Sequence, residues 1–415
     1  FFLNEIMLVL AFWSTLAVAF ATMLRRLLRV DQPALLLQDD SERLRLLIGR
    51  IPSLREYRPP PLLPTGLLQS AFAEKYAPEM IETPFSRQTV RLAALRNSQS
   101  TCCPRFVPEG IVSIDWLQQS PVDAPICILI PGLTGSSSSG YIRRAALALH
   151  QTGVRVGCFN PRSRGGNDLI SGFLYSAGYT EDLRRVIALV QCEFPRAPLT
   201  AAGFSLGSNY LAKYVAEEGP RCPLAGAVAL ACPLELNSMS AALGSTVTSR
   251  FLDRFVLVRS VQRVLQSVLP KVATIDGVDL SRAVGARSML DFDDATIAPM
   301  MGCSSATVYY SEASVRPILD RVRVPLLFVS AENDPIAPPY SAFDKLDFVE
   351  AGQHSPIVLA VTAEGGHSMT WPEGFLADGS WACRVIVEWV SSISEENCSS
   401  PVAPSSSTSH GGVIH

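Results

Sequence analysis

The chain has 415 residues, 48% of them hydrophobic, with 35 Lys+Arg against 38 Asp+Glu and a formal net charge of −3. That length holds one large α/β domain with additions or two smaller domains, and the apolar fraction asks for a membrane segment or a very large core. The balanced charge excludes the basic footprint of a nucleic-acid binder and any strong field steering a charged substrate.

Ile6–Leu24 is uncharged and nearly all apolar. At about 1.5 Å per residue it reaches roughly the thickness of a bilayer core. Arg25, Arg26 and Arg29 follow it and only Glu5 precedes it, so the positive-inside rule puts a single-pass N-terminal anchor here with the rest of the chain in the cytoplasm. A signal peptide, cleaved near Ala17-Val18-Ala19, and a buried helix are the two other readings of the run. The next stretch is basic, Leu-rich and then Pro-rich (Pro59, Pro60, Pro61, Pro64), which predicts an irregular arm or linker.

Strands are predicted around Thr89–Leu95 and Gly110–Trp116. From Ala124 a strand–helix alternation sets in. Strands are expected over Ile126–Ile130, Val154–Phe159, Leu199–Gly203, Leu224–Cys232, Val324–Ser330 and Ile357–Val361, and helices over Tyr141–His150, Thr180–Cys192 and Leu206–Glu217. Continuous apolar strands separated by helices imply a mostly parallel sheet covered on both faces. Between Glu235 and Pro317 the pattern turns helical with little strand signal, as an inserted cap would. The expected organisation is therefore an anchor over 1–24, an arm and linker over 25–100, a core over 101–234 and 318–395 interrupted by a helical cap over 235–317, and a Ser-rich disordered tail over 396–415. The ten cysteines include no CxxC pair; Cys102 and Cys103 are adjacent, while Cys127, Cys158 and Cys232 sit in apolar runs. Buried free thiols in a reducing compartment fit this better than a disulfide framework, and no metal or cofactor is expected.

Gly203-Phe204-Ser205-Leu206-Gly207 fits G-x-S-x-G with an apolar strand before it and a helix after it. That context belongs to a nucleophile on a sharp strand-to-helix turn of an α/β-hydrolase fold, which makes Ser205 the candidate nucleophile. The N–H of Leu206 opens the helix without an intrahelical acceptor and can face an oxyanion. A serine hydroxyl needs a base. Of the five histidines, His410 and His415 lie in the tail, His150 near a helix end and His354 before the last strand. His367 follows that strand, where this fold carries its base. Asp334, in the turn after Val324–Ser330, is the candidate orienting acid, with Glu332 as its rival. Asp291, Asp293 and Asp294 fall in the cap, where capping or exposure explains them. The second oxyanion donor is expected at Leu133, in Pro131-Gly132-Leu133-Thr134-Gly135. The Ser136–Ser139 run lacks the G-K-[ST] ending of a phosphate loop.

Taken with Ser113-Ile114-Asp115-Trp116, Phe159-Asn160-Pro161-Arg162, Tyr179-Thr180-Glu181-Asp182-Leu183, Gly203–Asn209 and Asn333-Asp334-Pro335-Ile336, these motifs resemble the type-4 family of the AB hydrolase superfamily over roughly Leu63–Val390. The family holds bacterial YheT-like esterases and membrane-anchored eukaryotic α/β-hydrolase-domain proteins. The resemblance implies a Ser205–Asp334–His367 triad and esterase, lipase or phospholipase activity on fatty acyl esters, with an N-terminal anchor in eukaryotic members. Pro131 departs from the histidine common before the glycine, and Ser208 from a frequent glycine, a change expected to narrow the floor of the site. The leading expectation is a membrane-anchored carboxylic-ester hydrolase acting on a lipid through an acyl-enzyme. Acyl transfer to an alcohol, or a non-catalytic lipid-binding member, are the alternatives.

Overall fold

The computed structural model describes residues 13–14, 18, 20–38, 41–75, 84–96, 104, 106–117, 121–272, 277–337, 355–375 and 377–399. Its backbone is organised by a nine-stranded sheet. In chain order the strands are β1 (Ala34–Leu37), β2 (Phe85–Leu92), β3 (Gly110–Leu117), β4 (Ile126–Ile130), β5 (Arg155–Asn160), β6 (Leu199–Phe204), β7 (Gly226–Leu230), β8 (Leu326–Ala331) and β9 (Ile357–Thr362). They lie in the order β1-β9-β8-β7-β6-β4-β5-β3-β2. The six from β9 to β5 run parallel, and β1, β2 and β3 pair antiparallel at the edges. Every residue of β4, β6, β7, β8 and β9 is buried, which is why these strands read as unbroken apolar runs rather than as alternation.

Both faces are covered by helices. On one face Ile126, Ile128 and Ile130 of β4 join a core with Leu183, Val186 and Ile187 of one helix (Glu181–Glu193) and Tyr210, Tyr214 and Val215 of another (Leu206–Glu218). On the other face Cys127 and Leu129 pack with Ile142 and Leu149 of the helix Gly140–Gln151 and with Trp381, Val385 and Trp389 of the helix Trp381–Ser399. Each fully buried side chain of this size contributes roughly 1.5–3 kcal/mol. The two layers of the sheet therefore fix its register, because a one-residue slip would exchange the faces.

Between β7 and β8 the chain leaves the sheet and, among the described residues, forms seven α-helices, from Leu236–Ser245 to Ala306–Ala313. They carry their own apolar cluster, which includes Leu236, Val261, Leu265, Phe292 and Tyr309 and takes in Phe173, Leu174 and Tyr179 from the loop after β5. The strand β1 falls in the stretch expected to be an irregular arm: it hydrogen-bonds β9 at the sheet edge. The final helix runs to Ser399, four residues into the stretch expected to be tail, and 400–415 lie outside the described residues. Of the run Ile6–Leu24, only 13–14, 18 and 20–24 are described, so the anchor expectation falls mostly outside them. Among the described residues no helix is long and apolar enough to cross a membrane.

Candidate active site

Strands β4 and β6 are neighbours, but the chain leaves β4 toward β5 on one side and leaves β6 toward β7 on the other. Their carboxyl ends therefore flank a topological switch point, where an open α/β sheet leaves a crevice. Ser205 sits at the end of β6 with φ 52° and ψ −121°, a backbone region that side-chain-bearing residues rarely enter. Two glycines make the turn feasible. A Cβ on Gly203 would stand 2.6 Å from the carbonyl of Gly207, and one on Gly207 would stand 2.3 Å from the carbonyl of Pro131. The Ser205 N–H is held by the Leu230 carbonyl at 2.9 Å.

The structure brings together the three residues expected at the site. Ser205 Oγ lies 2.7 Å from His367 Nε2, and His367 Nδ1 lies 2.7 Å from Asp334 Oδ2. A carboxylate can only accept, so Nδ1 carries the proton and Nε2 is left to accept from the serine. The Asp334 side chain has no exposure, and its Oδ1 accepts the N–H groups of Ile336 at 2.8 Å and Ala337 at 2.9 Å. Glu332, the rival acid, is exposed. His150 lies in the helix Gly140–Gln151 and does not line the site; His354, His410 and His415 lie outside the described residues.

Leu133 and Leu206 both border the cavity beside Ser205. Leu206 is the first residue of its helix, so its N–H lacks an intrahelical acceptor. The Leu133 loop is pinned by the N–H of Gly132, which donates to Tyr141 Oη at 3.0 Å. Behind it Asp115 accepts from Arg87 at 2.7 Å, Ser137 Oγ at 2.5 Å and Asn160 at 2.9 Å. Asn160 Oδ1 in turn accepts the Ser137 N–H at 2.9 Å. These contacts hold Asp115 below the usual carboxylate range even though burial opposes them. Ser208 does not narrow the cavity: it is buried, and its hydroxyl donates to the Ser205 carbonyl.

Several residues at the site had no local signal in the sequence. Ser70 Oγ accepts the His367 N–H at 2.7 Å, and Gln69 Oε1 accepts the Gly365 N–H at 2.8 Å. Gln69 also donates to Glu364 at 2.8 Å, and Glu364 is paired with Arg26 and Arg29. A periodicity argument reaches neighbours a few residues apart, whereas these partners are about 300 apart in sequence.

Above Ser205 opens a cavity of about 910 Å³, counting its open mouth. The cap supplies most of its wall, through Leu236, Met239, Val261, Leu265, Met289 and Phe292. Besides Ser205 and His367, the polar side chains of Arg164, Tyr175, Ser176, Asp293, Tyr309 and Tyr310 interrupt that apolar lining. Asp293 accepts from Tyr310 Oη at 2.7 Å, and burial pushes its carboxyl up to about 7. Arg164 and Tyr175 reach the cavity from the loop after β5. Asp291 is exposed and Asp294 caps Ala306, as their cap position led one to expect.

A family model described as serine aminopeptidase, S33, matches residues 123–371. The embryogenesis-associated protein EMB8 of Picea glauca is 29% identical over 321 residues, 72% of this chain and 67% of that protein. The phospholipase ABHD3 of Mus musculus is 30% identical over 66% of this chain and 65% of its own length. The putative esterase YheT of Escherichia coli K12 is 30% identical over 55% of this chain and 68% of its own length. The chain thus spans about two thirds of the length of these relatives. Sheet order, serine turn and family match agree: the chain belongs to the serine aminopeptidase S33 family of α/β-hydrolases.

Proposed function

We propose that the chain is a serine carboxylic-ester hydrolase of the lipase or phospholipase type, acting on medium- or long-chain fatty acyl esters. The observation that carries this reading is the unbroken relay Ser205–His367–Asp334 at the foot of an apolar cavity. Ser205 Oγ attacks the ester carbonyl while its proton passes to His367 Nε2. The resulting oxyanion takes hydrogen bonds from the N–H groups of Leu133 and Leu206. Collapse expels the alcohol, which leaves with the proton from His367, and the acyl group stays on Ser205. Water then repeats the sequence with His367 as base, freeing the acid.

The cavity favours a long acyl chain over a small soluble ester, because burying each methylene contributes about 0.8 kcal/mol. The names of the mouse and bacterial relatives, a phospholipase and a putative esterase, point the same way. The exposed apolar side chains of Trp13, Val18, Phe20, Leu24 and Leu28 support action at a lipid surface. The test is hydrolysis of a graded series of p-nitrophenyl esters, from acetate to palmitate, by purified protein and by Ser205→Ala. The variant is expected to lose kcat by at least about 10⁴-fold and to resist labelling by a fluorophosphonate. Unchanged hydrolysis by the variant would overturn the mechanism.

A further inference from the structure

Arg162, which is buried, and Arg184, which is partly buried, are paired with carboxylates. Arg162, 2% exposed, meets Asp182 through Nε at 2.7 Å and Nη2 at 3.0 Å. Arg184 meets Glu181, Glu217 and Glu218. Arg164 is different. It is 9% exposed and lines the cavity above Ser205, yet its hydrogen bonds go only to neutral oxygens. Nη1 reaches Ser163 Oγ at 3.0 Å and the Ser163 carbonyl at 3.3 Å, while Nε and Nη2 reach the Leu133 carbonyl at 3.4 and 3.5 Å. Burial without a carboxylate holds its guanidinium down to about 10, and the group that acts on it electrostatically is Tyr175.

Tyr175 lines the same cavity, and its hydroxyl is buried with no hydrogen-bond partner. A buried hydroxyl without a partner and a buried cation without a counter-charge are both unfavourable. Two such groups side by side in one cavity fit an oxygen-rich anion. Because Arg164 holds the carbonyl of Leu133, the anion would lie beside the residue whose N–H is the expected oxyanion donor. A tetrahedral phosphodiester carries two non-bridging oxygens, one for the guanidinium and one for the hydroxyl.

We propose that Arg164 and Tyr175 form a phosphate subsite in the cavity, selecting esters that carry a phosphodiester a few bonds from the scissile ester, as glycerophospholipids do. This rests on Ser205 being the nucleophile of an ester hydrolase. The test compares kcat/KM for dioctanoylphosphatidylcholine and dioctanoylglycerol, which share acyl chains and differ in the phosphate. It uses the full chain, Arg164→Gln and Tyr175→Phe, each checked by fluorophosphonate labelling of Ser205. The phospholipid-to-diacylglycerol ratio is expected to fall by about tenfold or more in Arg164→Gln and by about threefold in Tyr175→Phe, mainly through the phospholipid KM. A ratio that stays constant while both substrates slow together would mean that Arg164 only props the Leu133 loop, and the subsite would be wrong. Tyr175→Phe removes a single oxygen, so an unchanged ratio in that variant overturns the proposal even where Arg164→Gln fails to fold. Failure of the ester-hydrolase reading looks different: the full chain would then neither label nor hydrolyse either lipid.

Discussion

Ser205 occupies a backbone conformation that costs about 1–3 kcal/mol for a residue with a side chain, and the surrounding glycines and strand ends hold it there. The same tight constraint extends to Asp334, whose two oxygens have separate tasks. Oδ1 accepts two backbone N–H groups of its own turn, and Oδ2 accepts from His367 Nδ1. This division sets the outcome of Asp334→Asn. The amide oxygen keeps the two turn hydrogen bonds, so the amide nitrogen faces His367. Nδ1 must then accept, the ring proton moves to Nε2, and the Ser205 hydroxyl loses its base. We expect kcat to fall by about 10⁴-fold with the melting temperature nearly unchanged, as steady-state kinetics beside a thermal melt would read. A fall in activity that only tracks a loss of folded protein would deny Asp334 this role.

At the scale of elements, legibility followed the range of the interactions. The parallel strands β4, β6, β8 and β9 were readable because burial on both faces demands unbroken apolar runs, and the serine turn because its glycines and flanking elements are contiguous. The edge strand β1 was not. Ala34-Leu35-Leu36-Leu37 carries no alternation, and its partner β9 is more than 300 residues away. The motifs Ser113–Trp116, Phe159–Arg162 and Tyr179–Leu183 were visible as patterns, but only the folded chain shows that Asp115, Ser137 and Asn160 form one network behind the Leu133 loop and that Arg162 pairs with Asp182. The cap holds a further case. Asp293, on the helix Met289–Ala295, read as a cap or surface residue and is instead 8% exposed, bonded to Tyr310. Its folded pKa of about 7 stands above the ordinary 3.8, chiefly through burial. The folded chain therefore keeps a proton there that the unfolded chain has released, and stability falls as pH rises between about 4 and 7. Asp293→Asn stays neutral throughout and retains an oxygen for the Tyr310 hydroxyl. The melting temperature of the variant minus that of the parent should grow as pH rises through that window and level off above about 7. A difference independent of pH would show that Asp293 is ionised in the folded cap at all these pH values.

At the scale of the whole molecule, the segment from Arg26 to Lys75 forms a clamp over one edge of the sheet. Strand β1 extends the sheet beside β9, and Asp31 accepts the Ala363 N–H at 2.6 Å just beyond it. Ser53 accepts from Arg384 and donates to Glu388, while its carbonyl accepts from Trp381 Nε1 at 2.8 Å, fastening the clamp to the last helix. Arg26, Arg29, Gln69 and Ser70 then converge on the loop Glu364–His367. Two of the three arginines that read as a membrane-topology signal thus have partners within the fold, on the loop that carries the candidate base. Removing the clamp would leave the buried Glu364 without its cations and the His367 loop without three of its hydrogen bonds, each buried loss costing about 1–3 kcal/mol. A chain beginning at Arg25 keeps all of these contacts, and Ser205 in it should label with a fluorophosphonate at the rate seen in the full chain. A chain beginning at Pro84 keeps the triad residues and the serine turn but loses the clamp, and should label at least about tenfold more slowly or fail to accumulate as folded protein. Equal labelling of the two shortened chains would mean that the histidine loop is set by β9 and the Asp334 turn alone.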